Sequence, residues 1–114
     1  MEISVIDDDQ MMALLMQSRP YTLLILESGP NRHTPQAGAI IREHGRRNLG
    51  LRADGVLSVV CPVPDESELD GVGIFNLGLD ETRAVMEQDP GVLAGVFVFK
   101  LHPCRGFPGD ALPA

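Results

Sequence analysis

The 114-residue chain is poor in aromatic residues, cysteine and positive charge. It has no tryptophan, one tyrosine and four phenylalanines, so few rings are available to line an apolar pocket, which fits a small ligand or none. Two cysteines are too few for a disulfide framework, and we expect a reducing, cytoplasmic setting. Nine Lys+Arg against sixteen Asp+Glu give a net charge of −7, which argues against nucleic acid as a partner.

The chain also lacks long apolar runs. None approaches the roughly 18–20 residues that cross a bilayer, so we expect no membrane partner. The first four residues, 1–4, carry no positive charge, and we therefore expect no secretory signal.

Four short runs rich in Val, Ile, Leu and Phe predict β-strands at residues 21–27, 56–63, 72–77 and 95–101. A helix is predicted over residues 35–53, after Thr34, and a second over 81–88, with Asp80 as its cap. Residues 62–71 are typical of a polar hairpin loop. The order β-α-β-β-α-β predicts an α+β, ferredoxin-like sandwich over residues 21–103.

Both ends of the chain lie outside this predicted domain. Residues 1–20 form a predicted N-terminal extension with a helix at about 8–17, whose apolar residues surround most of its circumference and predict burial against something. From His102 onward neither helical nor strand period is present, and residues 104–114 are predicted to be a Pro/Gly-rich C-terminal arm.

Two of the predicted strands, at residues 22–26 and 96–99, are apolar at consecutive rather than alternating positions. This pattern indicates that both faces of the sheet are covered. Two helices cover one face only, so the other requires the N-terminal helix, a ligand or a second subunit. We favour a homodimer through the sheet face, because two-fold dimers are the commonest closed oligomers.

Polar residues interrupt the apolar stripe of the first long helix. The stripe runs through positions 37, 41, 44, 48 and 51, which places His44 and Asn48 on the face that meets the sheet. A histidine there is either a core group with its hydrogen bonds satisfied or a positioned acid or base.

The predicted topology brings several residues to one edge of the sheet: Ser28, His33, Cys61, Gly71 and Asp89. From that edge the carboxylate of Asp89 can reach His44 and hold its tautomer, which makes these two the candidate catalytic residues. The alternative for Asp89 is a helix-ending Asp-Pro turn. Ser28, His33, Asn48 and Cys61 are candidate substrate-binding residues; for Cys61, a buried inert thiol is the alternative.

Residues 31–54 carry a net charge of +3 in an otherwise acidic chain. One or two of their arginines can hold an anionic or enolate-like ligand, and Arg42 is the best candidate because it lies nearest the expected cleft edge. The alternative is a solvent-exposed helix face whose positive charges compensate acidic neighbours.

No metal site and no cofactor are expected. His102 and Cys104 form an H-x-C triplet, but the topology separates them by a strand length from Cys61 and His33. The same separation argues against a disulfide between Cys61 and Cys104.

Two segments resemble the YCII-related family. Residues 43–57, EHGRRNLGLRADGVL, are similar to its H-x-x-[FY]-L-x-x-L-x-x-x-G-x-L stretch, and residues 89–95, DPGVLAG, to its D-P-F-x-x-A-G segment. The resemblance covers about residues 21–103. It implies a ferredoxin-like fold that dimerises as an α/β barrel, a His–Asp pair in a cleft (here His44 and Asp89) and a small lyase- or isomerase-like enzyme. Gly91 stands where the family has a bulky aromatic residue, which predicts an enlarged or reshaped cleft.

The leading hypothesis is a cofactor-free enzyme in which His44, oriented by Asp89, acts as general acid or base in a proton transfer, elimination or isomerisation. The resemblance suggests a small oxygenated, hydroxylated aromatic substrate. Two alternatives stay open: a non-catalytic ligand-binding or accessory dimeric subunit of the same fold, and a purely structural dimer.

Overall fold

A computed structural model describes all 114 residues and shows an α+β chain with one antiparallel sheet. In chain order the elements are α1 (Asp8–Gln17), β1 (Arg19–Ser28), α2 (Ala37–Ala53), β2 (Leu57–Pro62), β3 (Leu69–Phe75), α3 (Leu79–Glu87), α4 (Pro90–Leu93) and β4 (Phe97–Gly106). The strand order is β2-β3-β1-β4, and every neighbouring pair is antiparallel. This arrangement is compatible with the predicted ferredoxin-like sandwich. None of the helices has the length and apolar character needed to cross a bilayer.

The core lies between the sheet and the helices that follow β1 and β3. Side chains alternate along β1, so that Thr22, Leu24 and Leu26 are buried on the helix side. Leu24 and Leu26 join a hydrophobic core whose other buried members come from β2, β3, β4, the helices and the α4–β4 turn: Ala37, Leu57, Phe75, Met86, Val96 and Phe97. Each large aliphatic or aromatic side chain buried in this way contributes about 1.5–3 kcal/mol.

Two glycines interrupt the core at one end. On the helix side of β3, Gly71 and Gly73 stand where a strand normally presents side chains. Both glycines line a cavity, and neighbouring atoms approach them closely: a Cβ on Gly73 would lie 3.0 Å from Leu57 Cδ1, and one on Gly71 would lie 3.1 Å from the Cys61 carbonyl oxygen. A side chain at either position would therefore require these neighbours to shift.

The strand β4 is longer than the sequence indicated. Residues 102–106, predicted to lie beyond the last strand, continue β4 and pair with residues 19–23 of β1. Pro103 is tolerated because β4 is an edge strand, with a neighbouring strand on one side only. The Arg105 side chain also binds Ser18, through Nε to Oγ at 2.8 Å and Nη2 to the carbonyl at 2.7 Å.

Helix boundaries differ in three places. α3 begins after Gly78 rather than after Asp80, which lies inside its first turn. α2 begins at Ala37, two residues later than predicted, because residues 31–36 form a turn. The short helix α4 was not predicted; the Asp-Pro pair at 89–90 begins a helical turn, with Asp89 as N-cap, besides ending α3.

The N-terminal helix is not buried within the single chain, and its burial against something stays a prediction. α1 forms at residues 8–17, with Asp7 and Gln10 in a reciprocal capping box, but none of its residues is buried. Apolar residues surround most of α1, as the sequence predicts. No other element of the single chain covers them.

The sheet face turned away from the helices, called here the open face, is also uncovered. Paired positions in β1, β2 and β3 place Leu23, Ile25, Val59, Val72 and Ile74 at its centre, each half-buried by its neighbours. Lys100 lies opposite Ile25 on the same face and forms an ion pair with Glu27 at 3.1 Å. The homodimer through this face stays a prediction.

Candidate functional site

A buried histidine–aspartate pair links α2 to the turn before α4. The Nδ1 atom of His44 lies 2.8 Å from both carboxylate oxygens of Asp89. Asp89 is completely buried, and His44 is only 7% exposed. The contact predicted from helix spacing and sheet topology is therefore present, and the carboxylate fixes the ring nitrogen that faces it as a proton donor.

Asp89 is held as a carboxylate by more than the histidine. It is the N-cap of α4, and its Oδ2 accepts hydrogen bonds from the backbone N–H of Gly91 at 2.9 Å and of Val92 at 3.2 Å. Burial raises the pKa of Asp89, but the hydrogen bond and charge of His44 and the two N–H donors outweigh it, so that the pKa lies below its usual value.

Arg47 adds a positive charge behind the pair. Its Nη1 lies 3.7 Å from Asp89 Oδ1, and its Nη2 donates to the Val85 carbonyl at 2.8 Å. Nη1 is buried and has no hydrogen bond, so the Asp89 carboxylate is its charge partner. The guanidinium thereby ties α2 to the end of α3 and favours the ionised form of Asp89.

The second ring nitrogen of His44 faces an amide. Asn48 Nδ2 lies 3.1 Å from His44 Nε2, one helical turn along α2. Asn48 Oδ1 is buried without a hydrogen-bond partner. An unpaired buried acceptor of this kind lowers the free energy of unfolding by about 1–3 kcal/mol, which is a large loss for a small core.

Phe97 occupies the space that Gly91 leaves. Its ring lies 4.6 Å from the His44 ring, centroid to centroid, at an interplanar angle of 48°. A Cβ built on Gly91 would lie 2.5 Å from Phe97 Cδ2 and 3.0 Å from Asp89 Oδ2. The sequence predicted that Gly91 enlarges or reshapes the cleft. The structure shows no enlargement at this point, because the Phe97 side chain from β4 fills the space.

We expect Gly91→Ala to destabilise the protein by about 1–3 kcal/mol, because the new methyl group must displace Phe97 or the capping carboxylate. In a Phe97→Leu background, Gly91→Ala should cost less free energy of unfolding than in the wild type, because the two side chains are in contact. Gly50→Ala is the matched control: its Cβ meets nothing within 4 Å on α2, and it should stabilise by up to about 1 kcal/mol. Urea unfolding measures all three; equal midpoints for wild type and Gly91→Ala would contradict the packing described.

A cavity of about 360 Å³ opens beside the pair, between α2 and strands β2 and β3. Its walls are mostly hydrophobic, and His44 and Asn48 are among the polar residues that line it. This size and lining are those of a small-molecule pocket with a few polar groups that fix orientation.

The other polar residues of the cavity form a small network. Arg32 Nε donates to Asp70 Oδ2 at 3.3 Å, and Ser28 Oγ donates to the same oxygen at 2.9 Å. The Arg32 guanidinium also lies 5.9 Å from the centroid of the Phe97 ring. Arg32 and Asp70 line the cavity, whereas Ser28 acts on it only through Asp70.

The predicted binding residues are only partly brought together. Asn48 and Cys61 line the cavity, but Arg42 and His33 are exposed and do not. The prediction for Arg42 was wrong in geometry, because positions 42 and 44 point to different sides of α2. Arg32, from the turn before α2, takes the place expected of Arg42.

Asp70 and Phe97 were not predicted as part of the site. Arg32 and Arg47 were included only among the arginines of residues 31–54, where Arg42 was the preferred candidate. Arg47 carries a usable signal, since a residue three positions after His44 lies on the same helix face. Arg32 lies in a turn, and Asp70 lies in β3 where the pairing with β1 shifts its register. Periodicity gives no information at either place.

No group of three His, Cys, Asp or Glu side chains is placed to hold a metal ion, and both cysteines are free. The search of family models returns no match to this chain, and none of the curated proteins matches it either. The resemblance to the YCII-related family therefore stays a prediction.

Proposed function

We propose that the protein is a small cofactor-free enzyme in which His44 transfers a proton and Asp89 holds its ring. One observation carries the proposal: a fully buried carboxylate binds one nitrogen of a histidine that lines a cavity of about 360 Å³. A histidine with one nitrogen fixed by a carboxylate is the usual arrangement of a general acid or base. Asp89 is a positioning residue, since it reaches a substrate only through His44.

The proton is exchanged at Nε2, because Nδ1 is committed to Asp89. The amide of Asn48 can form a hydrogen bond with Nε2 in both its unprotonated and its protonated form. As observed, Nδ2 donates to a bare Nε2; after half a turn about the amide axis, Oδ1 would accept from Nε2–H. A substrate that contacts Nε2 must displace this amide, and a substrate hydroxyl can then pair with the orphaned oxygen.

The lining of the cavity favours a small molecule with an apolar body and one or two oxygen atoms. Arg32 supplies the positive charge that stabilises an enolate-like oxygen, and its ion pair with Asp70 and its contact with the Phe97 ring position it at the cavity. The reaction class is a lyase- or isomerase-like proton transfer or elimination. The resemblance to the YCII-related family supports a hydroxylated aromatic substrate.

The functional unit in this proposal is a homodimer through the open face. The five aliphatic residues at its centre lie next to one another on three strands and are covered by no element of the chain. A continuous apolar surface left uncovered in this way marks an interaction site, and a second copy of the chain covers it in the proposed dimer.

A ligand-binding or accessory subunit without catalysis is the second candidate. It is favoured by the contact between Asn48 and His44 Nε2, which leaves the imidazole with both nitrogens already bonded. In that case His44 and Asp89 form a structural pair, and the cavity only holds its ligand.

A ligand screen separates the two functions. Ligand-observed NMR with small hydroxylated aromatics and hydroxy acids identifies molecules that bind, and Leu24 and Val60 methyl shifts locate them in the cavity. The enzyme proposal predicts that at least one such ligand is converted to a new species. A ligand that binds the cavity and is recovered unchanged after prolonged incubation supports the binding subunit instead. His33→Gln, outside the cavity, should bind and convert ligands as the wild type does.

A further inference from the structure

α1 is an apolar helix without a packing surface. Its five large apolar residues are each 46–82% exposed: Met11, Met12, Leu14, Leu15 and Met16. A helix of ten residues is not stable alone in water, even with a capping box, because packing supplies most of the stability of short helices. Something must therefore cover it.

The chain does not cover α1 itself. A single residue, Ser18, separates α1 from β1, and its extended backbone is clamped by the two hydrogen bonds from Arg105. A reversal onto the sheet needs a longer connection. The molecule is accordingly elongated, 54 × 34 × 23 Å, with a radius of gyration of 16.6 Å against about 13 Å for a compact chain of this length.

The same chain offers the complementary surface. The open face is apolar at its centre and uncovered, and β4 flanks that centre with His102 and with Lys100, which also forms the ion pair with Glu27. Residues 1–18 contain four acidic residues, three of them at 7–9 beside the start of α1, and no Lys or Arg. If α1 packs on the open face, its apolar residues contact the apolar centre of that face, and its acidic residues lie near the basic side chains of β4.

We propose that α1 is an exchanged arm that packs on the open face of a second copy of this chain. Two copies then make the contact twice, related by a two-fold axis, and neither helix nor sheet remains uncovered. The inference rests on the homodimer proposed above, but not on the chemistry of His44. It assigns a role to residues 8–17, which lie outside the segment that resembles the YCII-related family.

Sedimentation equilibrium over a concentration series tests the arm. Leu15→Glu places a charge in the proposed contact in both copies and should raise the dimer dissociation constant at least about 100-fold. Gln17→Glu adds the same charge on the opposite side of α1 and should change it less than about threefold. Amide hydrogen exchange should show α1 protected in the wild type and unprotected in Leu15→Glu, with the sheet protected in both.

A third variant separates this proposal from the dimer itself. Ile25→Glu, on the open face, should dissociate the homodimer whether or not α1 takes part. Dissociation by Ile25→Glu with an unchanged constant for Leu15→Glu would overturn the arm and leave the dimer standing. A wild type that is monomeric at every concentration would overturn both, and neither result bears on conversion of a ligand at His44.

Discussion

Replacement of Asp89 by alanine should cost about 3–5 kcal/mol of folding free energy, a large part of the 5–15 kcal/mol that stabilises a typical small domain. The variant removes the N-cap of α4 and leaves two buried groups, His44 Nδ1 and Arg47 Nη1, without their carboxylate. Unfolding in urea measures the loss. A loss below about 1 kcal/mol would show that the pair contributes little to the fold.

Asp89→Asn is the informative companion if the alanine variant does not fold. The asparagine oxygen can still cap the Gly91 and Val92 N–H groups, so we expect a loss of only about 1–3 kcal/mol. Its NH₂ group would donate to His44 Nδ1 and move the ring proton to Nε2. There it would meet the Asn48 amide, which must turn over to accept it.

The pH dependence of these variants has a defined sign. Because the pKa of Asp89 is lower in the folded protein than in the unfolded chain, its stabilising contribution is complete above the unfolded value, about pH 4, and is lost as pH falls through the folded value. Wild-type stability should therefore drop more steeply below pH 4 than that of Asp89→Asn. Parallel curves in that range would contradict an ionised, paired Asp89.

His44→Gln should lower the rate of ligand conversion by about 10²–10⁴-fold. Glutamine keeps an N–H donor for the Asp89 carboxylate and nearly fills the space against Phe97, but it neither accepts nor releases a proton near neutral pH. Stability and ligand affinity should change little. Initial rates at saturating ligand, together with a binding isotherm, separate the loss of chemistry from the loss of binding.

The control for this variant is His33→Gln, an identical change at an exposed histidine outside the cavity. Full activity is expected there. If His44→Gln converted ligand within about tenfold of the wild-type rate, general acid–base catalysis by this residue would be wrong, and the pair would be structural.

The His44–Asp89 contact was predictable because two regular features determine it. Helical spacing puts position 44 on the sheet side of α2, and the order of the elements brings the end of α3 to the same edge. The unpredicted helix α4 strengthened the contact, since its N-terminal N–H groups need the carboxylate that also meets the histidine.

The parts that were wrong or missed depend on tertiary packing or on turns. Arg42 lies near the predicted cleft edge along the helix, but its direction around the helix points it away from the cavity, which Arg32 reaches from the preceding turn. The consequence of Gly91 depends on Phe97, which reaches it from β4 through a sheet register that the sequence does not specify. The exposure of α1 has a similar cause, because its apolar pattern predicts a contact without naming the molecule that makes it.

Deuterium incorporation tests the central claim most directly. A ligand located in the cavity is incubated with wild-type protein in D₂O, and its carbon-bound protons are followed by NMR. Proton transfer by His44 predicts that one position exchanges with solvent in the presence of the wild type and that His44→Gln abolishes the exchange. A ligand that occupies the cavity while every carbon-bound proton stays in place, or an exchange that His44→Gln leaves unchanged, would contradict it.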